Sequence, residues 1–191
     1  MGGELRLFWA VQTPAPVKVG LALVQDRLKE AGADVKWVEP ENFHLTVRFL
    51  GAVAPERVEV ITGAVRRAAA TLAGFRLRLY GAGAFPGTAR PRVLWVAVGG
   101  DLEQMVQLHR QVEAVLKPLG FPSEGHFTPH LTLGRVRSPQ GAAALPPLIE
   151  KLAVAAAEVG DFAVNSVYLM ESRLGRLGPQ YFVLREVALG G

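Results

Sequence analysis

Two stretches of the chain alternate apolar and polar residues with a period of two, Phe43 to Leu50 and His130 to Val136. That period predicts half-buried strands. In the first, Phe43, Leu45, Val47 and Phe49 form an apolar face, and His44, Thr46 and Arg48 form the opposite, polar one. In the second, Leu131 and Leu133 face the core while His130, Thr132 and Gly134 share the other side. Around these strands the pattern predicts further elements. Leu5 to Val11 reads as a buried strand, and Val17, Leu21, Val24 and Leu28 mark a helix face after Pro14. Val35 to Val38 is a short strand. Pro55 opens a second helix with Val58, Ile61, Val65 and Leu72 inward, followed by a strand from Phe75 to Tyr80 and a Gly/Pro-rich loop from Gly81 to Arg92. The second half begins with a strand from Val93 to Val98 and a helix burying Leu102, Met105, Val112 and Leu116. A loop from Pro118 to Pro129, the His130 strand, an Ala-rich helix from Leu145 to Glu158, a strand from Phe162 to Met170, a loop from Gly175 to Pro179 and a last strand from Gln180 to Leu189 complete the chain.

The order is strand-helix-strand-helix-strand, then much the same again with one strand added. This is an α+β fold built from an internal repeat. His44-Leu45-Thr46 and His130-Leu131-Thr132 lie 86 residues apart, and Trp9 and Trp95 share that spacing. The matching context predicts a duplicated unit whose halves run to about residue 87 and from there to residue 191, within a single domain. Two copies facing each other would bring both His-Thr pairs to one cleft.

Composition narrows the chemistry. The 191 residues include no cysteine, which excludes disulfides, thiol nucleophiles and cysteine-ligated metal. The formal charge of +4 is compatible with an anionic partner but is ordinary for a chain of this size. No apolar run reaches the ~18 residues of a membrane span. The opening Met-Gly-Gly-Glu-Leu-Arg lacks the basic start and apolar stretch of a signal peptide, so the cytoplasm is the expected compartment.

Two histidines facing one cleft can work as general acid and general base together. A threonine hydroxyl two residues along the same face can donate to an anionic oxygen. The set suits phosphoryl chemistry without a metal or other cofactor. A zinc reading lacks a third ligand: no carboxylate cluster stands at either motif, and although His126 lies four residues before His130, a Pro/Gly-rich loop rather than a helix joins them. By alternation Arg48 joins His44 and Thr46 and could hold an anion bidentately. His109 falls on the apolar side of a helix and reads as a packed residue; His126 reads as a loop residue.

The paired His-x-Thr-x motifs resemble those of the 2H phosphoesterase superfamily, and more closely those of the RNA 2′,3′-cyclic phosphodiesterases, also called 2′-5′ RNA ligases. "RLFWAV", "WVEPENFHLTVRFLG", "FTPHLTLGRV" and "VYLMESRLGRLGPQYFVL" carry the likeness along most of the chain. The resemblance implies a bilobal, pseudo-twofold fold with antiparallel-rich sheets flanking a central cleft and helices outside. It implies opening of RNA 2′,3′-cyclic phosphates to 2′-phosphates; small cyclic nucleotides are a further candidate substrate, and a monomer is the expected state. On this chain His44 would give a proton to the leaving 3′-oxygen, His130 would activate water, and Thr46 and Thr132 would hold phosphate oxygens. Arg135 matches the family's arginine after the second motif. Strict alternation puts it opposite His130, so that role requires a bulge or a strand end. Phe8 and Tyr181 are candidate base or cleft contacts. Ligation of RNA halves in the same site, and a non-catalytic nucleotide- or RNA-binding module, are the competing functions.

Overall fold

The computed structural model describes residues 3–155, 158–175 and 178–190. Nine strands and four α-helices are present among them: β1 (Leu5–Gln12), α1 (Ala15–Lys29), β2 (Val35–Trp37), β3 (His44–Val53), α2 (Val58–Ala69), β4 (Phe75–Phe85), β5 (Val93–Gly100), α3 (Leu102–Leu116), β6 (His130–Val136), α4 (Leu145–Val154), β7 (Glu158–Val164), β8 (Ser166–Gly175) and β9 (Gly178–Ala188). The strands make two antiparallel sheets, ordered β3-β1-β8-β9 and β2-β6-β5-β4-β7. No helix among the described residues is long and apolar enough to cross a membrane.

Apolar periodicity fixes where the helices sit. α1 carries Pro16 in its first turn, buries Val17, Leu21, Val24 and Leu28, and ends with Arg27 and Lys29 near the negative end of its dipole. It packs with α4 on the second sheet, whereas α2 and α3 pack on the first. Thr13 does not cap α1. Its hydroxyl donates to Phe43 O at 2.9 Å and ties the end of β1 to the start of β3, one residue before His44.

The strands do not sort by half. β2 and β4, from the first half, belong to the second sheet, and β8 and β9, from the second half, complete the first. The expected boundary near residue 87 falls between β4 and β5, which are hydrogen-bonded neighbours. Several expected boundaries move for local reasons. β4 runs on to Phe85 through Gly83, where the Trp95 ring fills the space of a side chain: a Cβ on Gly83 would lie 2.2 Å from it. The expected strand from Phe162 to Met170 is two strands, broken at Asn165, and the Ala-rich helix ends at Val154. The middle of the expected 175–179 loop lies outside the described residues.

The two tryptophans are not equivalent. Beside β3, Ala10 pairs with Thr46 and Gln12 with His44. Beside β6, Trp95 pairs with Thr132 and Ala97 with His130. Trp95 thus takes the place of Ala10, not of Trp9. A slip of one residue exchanges the faces of a strand. Accordingly Trp9 is fully buried in the core, while Trp95 is half-buried on the side of Thr132, against Phe85 at 5.1 Å.

Candidate active site

The sheets approach one another along β3 and β6, the two strands that begin with the histidines. Each imidazole is fixed by the same local bond. His44 Nδ1–H donates to Asn42 O at 2.6 Å, and His130 Nδ1–H donates to Thr128 O at 2.8 Å. Both acceptors lie two residues upstream, so each ring carries its proton on Nδ1 when neutral and turns Nε2 away from the backbone. The Thr46 hydroxyl lies 3.1 Å from His44 Nε2. Thr46 and Thr132 are half-buried like the histidines.

Immediately after each threonine the strand bulges. In β3, Thr46 pairs with Ala10 and Arg48 with the adjacent Trp9, leaving Val47 as the extra residue. In β6, Thr132 pairs with Trp95 and Gly134 with Leu94, leaving Leu133 as the extra residue. A bulge of one residue reverses alternation beyond it. The expected place of Arg48 is therefore corrected: it is 2% exposed, on the side of the buried Trp9. There it pairs with Glu124 at 2.6 Å and donates to Pro122 O, bracing the loop that leads into β6. It does not share a face with His44 and Thr46. The same irregularity in β6 turns Arg135 onto the face of His130 and Thr132, where it is exposed.

The position matching Arg135 in the first half is Phe49, which strand alternation had assigned to the core. It is 53% exposed and stands on the His44 side, its ring 6.0 Å from Phe8. Phe8 itself is 3% exposed. Its ring packs on His44 at 4.9 Å and on Tyr181 at 5.0 Å, so it forms a wall for the imidazole, and Phe49 offers the open aromatic surface. Tyr181 stands edge-on to His44 at 5.1 Å, as Phe85 does to His130 at 5.0 Å.

Tyr181 and Arg135, one from each sheet, line a shared cavity of about 630 Å³ together with Lys36, Asn42, Pro179 and Gln180. Burial raises the Tyr181 hydroxyl above its ordinary pKa, and the nearby Arg135 cation opposes that rise. Burial also dominates at His44 and lowers its pKa to about 4; the Asn42 carbonyl opposes this and the Lys18 ammonium adds to it. His44 is therefore neutral at pH 7. His44 is expected to titrate near pH 4 in the free protein and higher with inorganic phosphate bound, read from its Cε1–H resonance; a free-protein midpoint near 6.5 would contradict the burial argument. Because the folded value lies below the unfolded one, this residue's contribution to stability is complete above pH 6.5 and is lost as pH falls toward about 4. Urea midpoints at pH 7 and pH 4.5 should therefore differ less in His44→Phe than in the unchanged protein.

The sequence model of the 2′-5′ RNA ligase superfamily matches residues 26–176. The chain belongs to that superfamily. Among curated relatives, an RNA 2′,3′-cyclic phosphodiesterase of Aeropyrum pernix is 41% identical over 170 residues, covering 87% of this chain and 93% of the relative. One of Methanothermobacter thermautotrophicus is 36% identical over 178 residues, covering 93% and 95%. Among solved structures, E. coli LigT in its apo form superposes with a TM-score of 0.78 at 26% identity over the whole of both chains. LigT complexed with 3′-AMP gives a TM-score of 0.76 at 26% identity, covering 98% of this chain and 99% of that one. The α+β fold with two antiparallel sheets is thus the fold of the superfamily. In this member Tyr181, packed against His44, and Arg135, three residues past Thr132 on β6, line a cavity where the two sheets meet.

Proposed function

We propose that this chain hydrolyses RNA 2′,3′-cyclic phosphodiester ends to 2′-phosphomonoesters by general acid and base catalysis, without a metal. The observation that carries the reading is the pair of His-Thr motifs on facing strands, each histidine held through Nδ1 by the carbonyl two residues upstream. The names of the relatives support the substrate class, and the existence of a LigT complex with 3′-AMP supports a nucleotide ligand.

In the proposed reaction His130 Nε2 takes a proton from water, and the oxygen of that water bonds to phosphorus. The bond from phosphorus to the 3′-oxygen breaks, and His44 Nε2–H protonates the leaving oxygen. The phosphate stays on the 2′-oxygen, and solvent returns the histidines to their starting states. Thr46 and Thr132 donate to the non-bridging oxygens, and Arg135 balances their charge. His44 needs a proton for this role. The anionic substrate supplies the condition for it, because a negative charge beside Nε2 raises the low pKa that burial gives His44. The same displacement with a 5′-hydroxyl in place of water is 2′-5′ ligation.

The reading is tested with an oligonucleotide bearing a 2′,3′-cyclic phosphate, in EDTA, with the phosphate position of the product determined. A 2′-phosphomonoester at an undiminished rate is expected. A 3′-phosphate, loss of turnover on chelation, or nucleotide binding with no turnover would overturn it. Adding a second RNA with a 5′-hydroxyl end measures ligation in the same mixture.

A further inference from the structure

Among the buried polar side chains that take no part in that reaction are Gln25 on α1, 2% exposed, and His109 on α3, 4% exposed. A polar group inside a helix-sheet interface is costly unless it is hydrogen-bonded. Both are bonded, and both reach a bulge. His109 Nδ1–H donates to Val47 O at 2.8 Å. Gln25 Nε2 donates to Leu133 O at 3.0 Å and to Val38 O at 2.7 Å. Val47 and Leu133 are the extra residues of the two bulges. Their spacing along the chain equals that of the two histidines. The helices correspond as well, since α1 follows β1 and α3 follows β5. Each clamp also crosses between the sheets. α1 leaves a strand of the first sheet and holds β6 of the second; α3 leaves a strand of the second sheet and holds β3 of the first.

A bulge interrupts the ladder and can be removed by a slip of one residue. Such a slip would return strict alternation, turning Arg48 and Gly134 toward the cleft and Phe49 and Arg135 toward the core. The duplicated fold places a helix-borne donor on the carbonyl where each slip would begin. We infer that Gln25 and His109 are positioning residues of the active site: they pin the two bulges and so hold Arg135 and Phe49 on the face of the His-Thr pairs. Gln25 then acts on the reaction through Arg135, and the inference rests to that extent on the proposed phosphate contact of Arg135.

A double-mutant cycle tests it. Gln25→Met keeps the volume and removes the donor. It should lower kcat/KM on a 2′,3′-cyclic-phosphate oligonucleotide roughly ten- to a hundredfold, mainly through kcat. In an Arg135→Met background the same change should alter kcat/KM less than twofold. A purely structural loss would act equally in both backgrounds, and that result overturns the inference. His109→Gln copies the donor of the other clamp and should retain the activity that His109→Leu loses; equal losses also overturn it. Amide exchange separates the two layers of the argument. Should Arg135→Met leave kcat/KM unchanged, the phosphate reading of Arg135 fails. The clamp is then judged by exchange at Gly134 and Arg135, which Gln25→Met accelerates if the clamp holds the bulge and leaves unchanged if it does not.

Discussion

His44→Ala and His130→Ala are each expected to reduce kcat by ~10²–10⁴ while the protein stays folded. The two rings remove and deliver protons in one concerted displacement, so losing either leaves the other without a partner step. The double variant should be little worse than the worse single one, because residues that act as a unit are not additive. Folding should survive. Both rings are half-buried at the cleft, outside the main core, and the bonds they lose go to Asn42 O and Thr128 O. The roles can be told apart by chemistry. A cyclic substrate with sulfur in place of the 3′-oxygen leaves as a thiolate, the form a thiol of pKa about 8.5 yields readily. It does not need a proton donor. This substrate should restore much of the rate of His44→Ala and little of that of His130→Ala. The reverse pattern would exchange the two assignments. Full activity of either variant on the natural linkage would remove the acid-base proposal altogether.

How far the sequence could be read has a physical limit, and the bulges mark it. Up to Thr46 and Thr132 a period of two describes the strands, because alternation along one strand reports which face is buried. His44 with Thr46, and His130 with Thr132, are therefore legible as two pairs that each share one half-buried strand face. A bulge belongs to a pair of strands, and one strand's own alternation does not show it. Beyond each threonine the expected faces are inverted, which is why Arg48 looked like a site residue and Phe49 like core. Gly134 was a hint, since glycine inside a strand often marks a bulge. The shared spacing was another: Phe49 and Arg135 stand as far apart as the histidines. Trp9 and Trp95 misled for the same reason, because repeating a residue type does not fix a register. The exchange of β2, β4, β8 and β9 between the halves depends on how α1 and α3 cross from sheet to sheet. No local pattern encodes that crossing. Nor did the apolar face of α3 reveal that His109 serves the bulge in β3.

Arg48 and Arg135 should respond oppositely to the same substitution, and this contrast gives the largest expected effect on stability. Arg48→Ala should lower stability by about 3 kcal/mol. The value sits at the low end for a broken buried ion pair because Glu124, 41% exposed, can be rehydrated once its partner is gone. What remains is the space left beside Trp9 and the lost bond to Pro122 O, which loosens the loop ahead of His130. Arg135→Ala removes an exposed side chain and should change stability by no more than ~0.5 kcal/mol. Its effect belongs to the reaction, where loss of one donor to a charged transition state costs ~10² in rate. Urea midpoints and kcat/KM measured on both variants decide the matter. Below the unfolding transition, Arg48→Ala should keep kcat/KM within a few-fold of the unchanged protein. If Arg48→Ala instead loses turnover at full stability while Arg135→Ala unfolds easily, the strands run without bulges and the faces follow simple alternation. Arg48 would then be the phosphate ligand and Arg135 the buried brace.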